Sequence, residues 1–118
     1  MKLRVRIGEQ ALTARLAEGE TAKDFAKLLP LTLKMNDLFK REKFANLPRA
    51  LSDAGKHTDR YALGEIGYWP PGPDLAIFYR HDGEKIPAPG IIVIGKLGTA
   101  VRAFDVPGTV TATFELFD

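Results

Sequence analysis

Four aromatic residues stand close together around one proline-rich stretch: Tyr68 and Trp69 precede Pro70-Pro71-Gly72-Pro73-Asp74, and Phe78 and Tyr79 follow it. Aromatic rings offer broad apolar surface, and Tyr and Trp add a polar edge, so such a set suits the walls of a site for a peptide or small molecule. Arg41, Arg49 and Arg80 supply donors to accompany them. Glu65 interrupts an apolar stretch at the start of the same region, where a carboxylate can act as acid, base or hydrogen-bond acceptor. Each residue also has a plainer reading. Phe78 lies in Leu75-Ala76-Ile77-Phe78-Tyr79, which a core strand explains; Trp69 can cap the turn by stacking on its prolines; Glu65 can face outward; Lys40-Arg41-Glu42-Lys43 reads as a solvated charged run.

Other chemistries find no residues to carry them. The chain has no cysteine, and its two histidines, His57 and His81, lie in separate polar stretches without a carboxylate pair at ligand spacing, so neither a thiolate nucleophile nor a metal site is expected. Ser52 is the only serine and lacks a Gly-x-Ser-x-Gly setting. Gly95-Lys96-Leu97-Gly98-Thr99 has the letters of a phosphate loop without its spacing or a following periodic helix. No cofactor is implied.

The elements that must position the aromatic set are mostly strands. Leu3, Val5 and Ile7 alternate with Lys2, Arg4 and Arg6, and Leu12, Ala14 and Leu16 repeat the pattern after Gly8-Glu9, which predicts a hairpin with Gly8 at a positive-φ turn position. Ala22, Phe25, Ala26 and Leu29 change to helical spacing behind Thr21-x-x-Asp24, which reads as a capping box; Pro30 ends that helix. Leu31, Leu33 and Met35 return to alternation. From Asn36 to Asp59 the spacing is irregular, and a long loop with a helical turn or two is expected.

Strands follow at Tyr61–Trp69 and Leu75–Tyr79 around the proline-rich turn, then at Ile91–Ile94, weakly at Val101–Phe104, and at Val110–Leu116. The fold expected is mainly β with one short α-helix, a closed or nearly closed barrel of about eight strands, because closure removes the unpaired edges a small β-protein must manage.

A chain of 118 residues has room for one core, so residues 1–118 read as a single domain. Seventeen basic and 15 acidic residues give a formal charge of only +2, spread along the chain, and no field for nucleic acid or anionic lipid arises. The N-terminus lacks the continuous apolar core of a signal peptide, and no stretch approaches the roughly 18 apolar residues of a membrane span, so a cytoplasmic location is expected.

Gly64-Glu65-Ile66-Gly67-Tyr68-Trp69-Pro70-Pro71-Gly72-Pro73-Asp74-Leu75-Ala76-Ile77-Phe78-Tyr79 and Pro89-Gly90-Ile91-Ile92-Val93-Ile94-Gly95-Lys96 resemble the compact prokaryotic cyclophilin-like proteins. Leu29-Pro30-Leu31-Thr32-Leu33 and Leu47-Pro48-Arg49 extend the resemblance over nearly the whole chain. It implies an eight-stranded barrel. The Phe-His-Arg and Gln-Gly-Gly-Asp-Phe sequences of active prolyl isomerases are absent, and Phe39-Lys40-Arg41 is the nearest echo, which makes Arg41 the residue to test as an isomerase donor.

The function expected is a binding module whose aromatic pocket near Tyr68, Trp69 and Phe78, bordered by the Asn36–Leu51 segment, holds a peptide or small molecule. One alternative is an enzyme, either a weak peptidyl-prolyl isomerase using Arg41 or another reaction involving Glu65. Another is a structural or assembly role through an exposed strand edge. The sequence sets no oligomeric state.

Overall fold

A computed structural model describes residues 1–117. Its strands are β1 (Lys2–Ile7), β2 (Gln10–Leu16), β3 (Leu31–Leu38), β4 (Glu42–Asn46), β5 (Glu65–Trp69), β6 (Asp74–Phe78), β7 (Ile92–Leu97) and β8 (Val110–Phe117), with one helix, α1 (Glu20–Ala26), between β2 and β3. They close into an antiparallel barrel in the order β1-β2-β7-β5-β6-β4-β3-β8, with β8 returning to β1. Every strand therefore has two neighbours, which removes the premise of assembly through an exposed edge.

Gly8 takes a φ of 56° and turns β1 into β2, as its place between two alternating runs requires. Helix α1 closes one end of the barrel with Ala22 and Phe25, and the Phe25 ring meets Phe114 of β8 edge to face at 5.9 Å. The expected capping box is not formed. Gly19 is the N-cap, and Thr21 and Asp24, one helical turn apart on the same face, instead clamp the backbone of Ser52: Thr21 Oγ1 donates to its carbonyl at 2.6 Å, and Asp24 Oδ2 accepts from its amide at 2.7 Å.

Two further expectations are corrected. The segment expected as a loop from Asn36 contains the end of β3 and all of β4, and its charged run is not solvated: Arg41, Glu42 and Lys43 are buried. Four charges in succession hid the strand, because alternation shows in sequence only when the inward residues are apolar. Val101–Phe104 is a 3-10 turn rather than a strand. It opens after Ala100 at φ 61°, and four residues are too few for period 2 and period 3 to be told apart.

The core has two parts, which explains the unbroken apolar run of β6. Leu75 and Ile77, followed by Tyr79, point into the barrel with Ile66, Tyr68 and Ile94. Ala76 and Phe78 point outward, where Ile86 and Ile91 cover them. At the β5–β7 pairing Ile66 opposes Gly95 and Gly67 opposes Val93, so Ile94 is an extra residue that bulges the sheet beside the outer cluster.

Candidate functional site

The outward half of β4, β5 and β6 forms the floor of a pocket. Side chains on a strand alternate between faces, so Leu38, Glu42, Phe44, Trp69, Asp74, Ala76 and Phe78 share the outer face of the sheet. Gly67 lies in the same layer, and the space its side chain would take is already filled. A Cβ there would meet Ile91 Cδ1 at 2.8 Å and Phe78 Cε2 at 3.2 Å. Ile86, Pro87 and Ile91 arrive from the long connection after β6 and wall the far side, enclosing a cavity of about 200 Å³. An apolar cavity of roughly 150 Å³ can accept benzene. This one has room for a single ring with a short chain.

Phe39 forms part of the rim. It and Lys40 are the central residues of the tight turn between β3 and β4, with φ of 58° and 52°, both in the left-handed region that glycine and asparagine favour. Two hydrogen bonds hold the turn: Arg41 N donates to the Leu38 carbonyl at 3.1 Å, and Lys40 N donates to Asp37 Oδ2 at 3.0 Å. Phe39 itself is 70% exposed. A large apolar side chain in a left-handed turn and mostly in water has no packing role to explain it, and the pocket edge is where it stands.

At the deep end Arg41 and Glu42 form a buried ion pair. Nε and Nη2 of the guanidinium both donate to Glu42 Oε1, the first at 2.9 Å, and Nη1 reaches Asp82 Oδ2 at 3.5 Å. The guanidinium carbon is also 5.5 Å from the Phe39 ring centre, 5.7 Å from Tyr61 and 5.9 Å from Phe78. Tyr61 stacks on Phe78 at 4.3 Å and on His81 at 4.9 Å, and its hydroxyl donates to the Arg80 carbonyl, which fixes the aromatic stack beside the pair.

The two ends of the pair respond differently to burial. For Arg41 burial works against the charge, but Glu42 and Asp82 more than compensate, and it remains cationic with its affinity for the proton raised. For Glu42 burial is the larger influence: it pushes the carboxyl above the usual range although Arg41 pulls the other way.

Of the residues singled out in the sequence, the structure brings Arg41, Trp69 and Phe78 into this pocket and puts the others elsewhere. Tyr68 is a neighbour of Trp69 in sequence but points into the barrel, where its hydroxyl accepts from Leu51 N at 2.9 Å. Tyr79 likewise faces away from Phe78, and its hydroxyl donates to Asp37 Oδ1. Glu65 Oε1 accepts from Ala62 N at 2.7 Å and tightens the turn leading into β5. Arg49 is exposed on the helix side of the molecule, donating to the carbonyls of Ala50 and Asp24.

Sequence reasoning missed Glu42, Phe44, Asp74 and the covering residues Ile86 and Pro87. The first two stand on the unrecognised strand; the signal that reveals them is their register opposite Phe78 and Ala76. Among the described residues, no three His, Cys, Asp or Glu side chains gather as metal ligands.

Comparison with known proteins agrees with this architecture. The model of a family described as the Cyclophilin-like family matches residues 5–115. No curated protein matches the chain. The solution structure of the hypothetical protein AF2241 from Archaeoglobus fulgidus is similar to it, with 25% identity and a TM-score of 0.75 over 98% of this chain and 93% of that one.

Proposed function

The chain belongs to the cyclophilin-like family, and from that premise we propose that it is a binding protein whose outer-face pocket holds a small apolar molecule or an apolar side chain of a peptide. The observation that carries this reading is the convergence of Trp69, Phe78, Phe44 and the exposed Phe39 on one cavity of about 200 Å³ with a charged pair at its deep end. Apolar walls with a few fixed polar groups are the usual composition of a small-molecule site.

Binding is favoured over prolyl isomerisation because the donors of Arg41 are already engaged. Nε and Nη2 serve Glu42 and Nη1 reaches toward Asp82, whereas an isomerase arginine must offer its donors to the substrate amide. Glu65, tied into its turn outside the pocket, supports no reaction there. Among the described residues no helix is long and apolar enough to cross a membrane.

Trp69 is the only tryptophan, so its fluorescence reports on the pocket directly. A fragment library of single-ring compounds should contain members that shift Trp69 emission and move the amide resonances of Phe44, Ala76 and Phe78. Compounds that move only the resonances of Tyr68 or Arg49 would refute a site on this face. An X-Pro peptide assay with wild type and Arg41→Ala should give the uncatalysed rate for both.

A further inference from the structure

Resting on the pocket just described, we propose that it selects a protonated amine carried on an apolar, ring-sized body. The Glu42 side chain is within the pocket lining and the residue is only 6% exposed, yet just one of its oxygens is used. Both contacts from Arg41 converge on Oε1. Oε2 accepts no hydrogen bond among the described residues and is not sealed from solvent, so it presents an acceptor to the cavity. A ligand that fills the cavity and displaces water from this oxygen must supply a donor in its place.

Charge then decides which donor. The lining holds one cation, Arg41, and two carboxylates, Glu42 and Asp74, a net of −1, and Asp82 stands 3.5 Å behind Arg41. An anionic ligand would face these carboxylates with the guanidinium already engaged, and a neutral ligand would leave the excess uncompensated. Phe39, Phe44, Trp69 and Phe78 supply the apolar body's surroundings and ring faces that attract a cation. The raised carboxyl of Glu42 is consistent with this: burial outweighs Arg41, so its anion is short of compensation until a second positive group arrives.

The test compares three molecules of similar size by Trp69 fluorescence and calorimetry: phenethylammonium, 2-phenylethanol and 3-phenylpropionate. Phenethylammonium should bind at least 10-fold more tightly than the alcohol, and the carboxylate weakest of all. Glu42→Gln, which removes the charge and keeps an oxygen acceptor, should bring the amine to within about 3-fold of the alcohol. Because Glu42→Gln also removes a partner of buried Arg41, Asp74→Asn at the rim gives a second reading. It should lower the amine-to-alcohol affinity ratio several-fold, and the amide spectrum should stay native.

Equal affinities for amine and alcohol, or preference for the carboxylate, would overturn amine selection while leaving the apolar pocket standing. Failure of all three to perturb Trp69 would overturn both readings. A peptide bearing a single lysine beside a phenylalanine presents the same ammonium. If it binds more tightly than phenethylammonium, the selectivity holds and its source is a peptide rather than a free amine.

Discussion

Lys43 has no exposed surface, and every donor of its ammonium is occupied. Its ammonium donates to Asp37 Oδ1 at 3.0 Å and to the carbonyls of Val106 and Gly108, so one side chain ties β4 to β3 and to the segment leading into β8. Losing the anion paired with a buried cation is costly, and Asp37→Asn should lower unfolding stability by about 2–3 kcal/mol in urea denaturation; the range is below that of a fully buried pair because the Asp37 side chain keeps 23% exposure. Burial alone would raise the Asp37 carboxyl, but the Tyr79 hydroxyl, Lys43 and the Lys40 amide outweigh it and hold it below the usual range. A carboxyl lowered by folding contributes stability that is complete above its unfolded value, about 3.9, and is lost as pH falls through the folded one. Stability should therefore drop on acidification in that window, and the drop should flatten in Asp37→Asn, read from urea midpoints at a series of pH values. Tyr79 is raised in turn, by burial first and then by Asp37, and stays a donor throughout the physiological range. Neither Asp37 nor Lys43 declared itself in the sequence, where each reads as one more surface charge. What identifies them is their direct cross-strand register, a property of pairing rather than of residue type.

Turns and alternation decide which of these residues meet. The β3–β4 turn places two non-glycine residues at left-handed φ, each at a cost of about 1–2 kcal/mol, and only Phe39 repays this with a position at the pocket. Lys40→Gly should then stabilise the protein by about 0.5–1 kcal/mol, glycine's greater freedom in the unfolded chain offsetting part of the relief, with ligand binding unchanged; thermal or urea unfolding measures it. In β5 the missing side chain at Gly67 lets Ile91 and Phe78 close over the sheet. Gly67→Ala should displace both, cost about 1–3 kcal/mol as overpacking does, and weaken any ligand that shifts Trp69. Strand existence was legible wherever apolar and polar residues alternate, as in β1, β2, β3 and β8. The aromatic set was legible as residues but not as a site. Tyr68 and Trp69, like Phe78 and Tyr79, are sequence neighbours that period 2 sends to opposite faces, so half of the set belongs to the barrel interior.

At the scale of the molecule, the barrel is held by pairings between distant parts of the chain. Phe114 of β8 opposes Val5 of β1 on one side and Leu31 of β3 on the other, and packs on Phe25 from the helix. Phe114→Ala should cost about 3–5 kcal/mol. Trp69 emission and far-ultraviolet circular dichroism should still report one shared transition, because no strand is supported independently of closure. Closure of about eight strands followed from their number and from the edges a small β-protein must remove, but that β7 intervenes between β2 and β5 could not be read from local patterns, since nothing in a strand's own sequence names its partner. Closure also carries a consequence for synthesis. Translation delivers β8 after all seven other strands, and β1 and β3 both wait for it. Until it emerges, the nascent chain carries two open edges with Val5 and Leu31 beside them, the state in which a β-protein is most apt to pair with the wrong chain. The alternating Lys2, Arg4 and Arg6 of β1 and Lys34 of β3 then act as guards, repelling a second copy of the same unfinished barrel for the interval before β8 arrives.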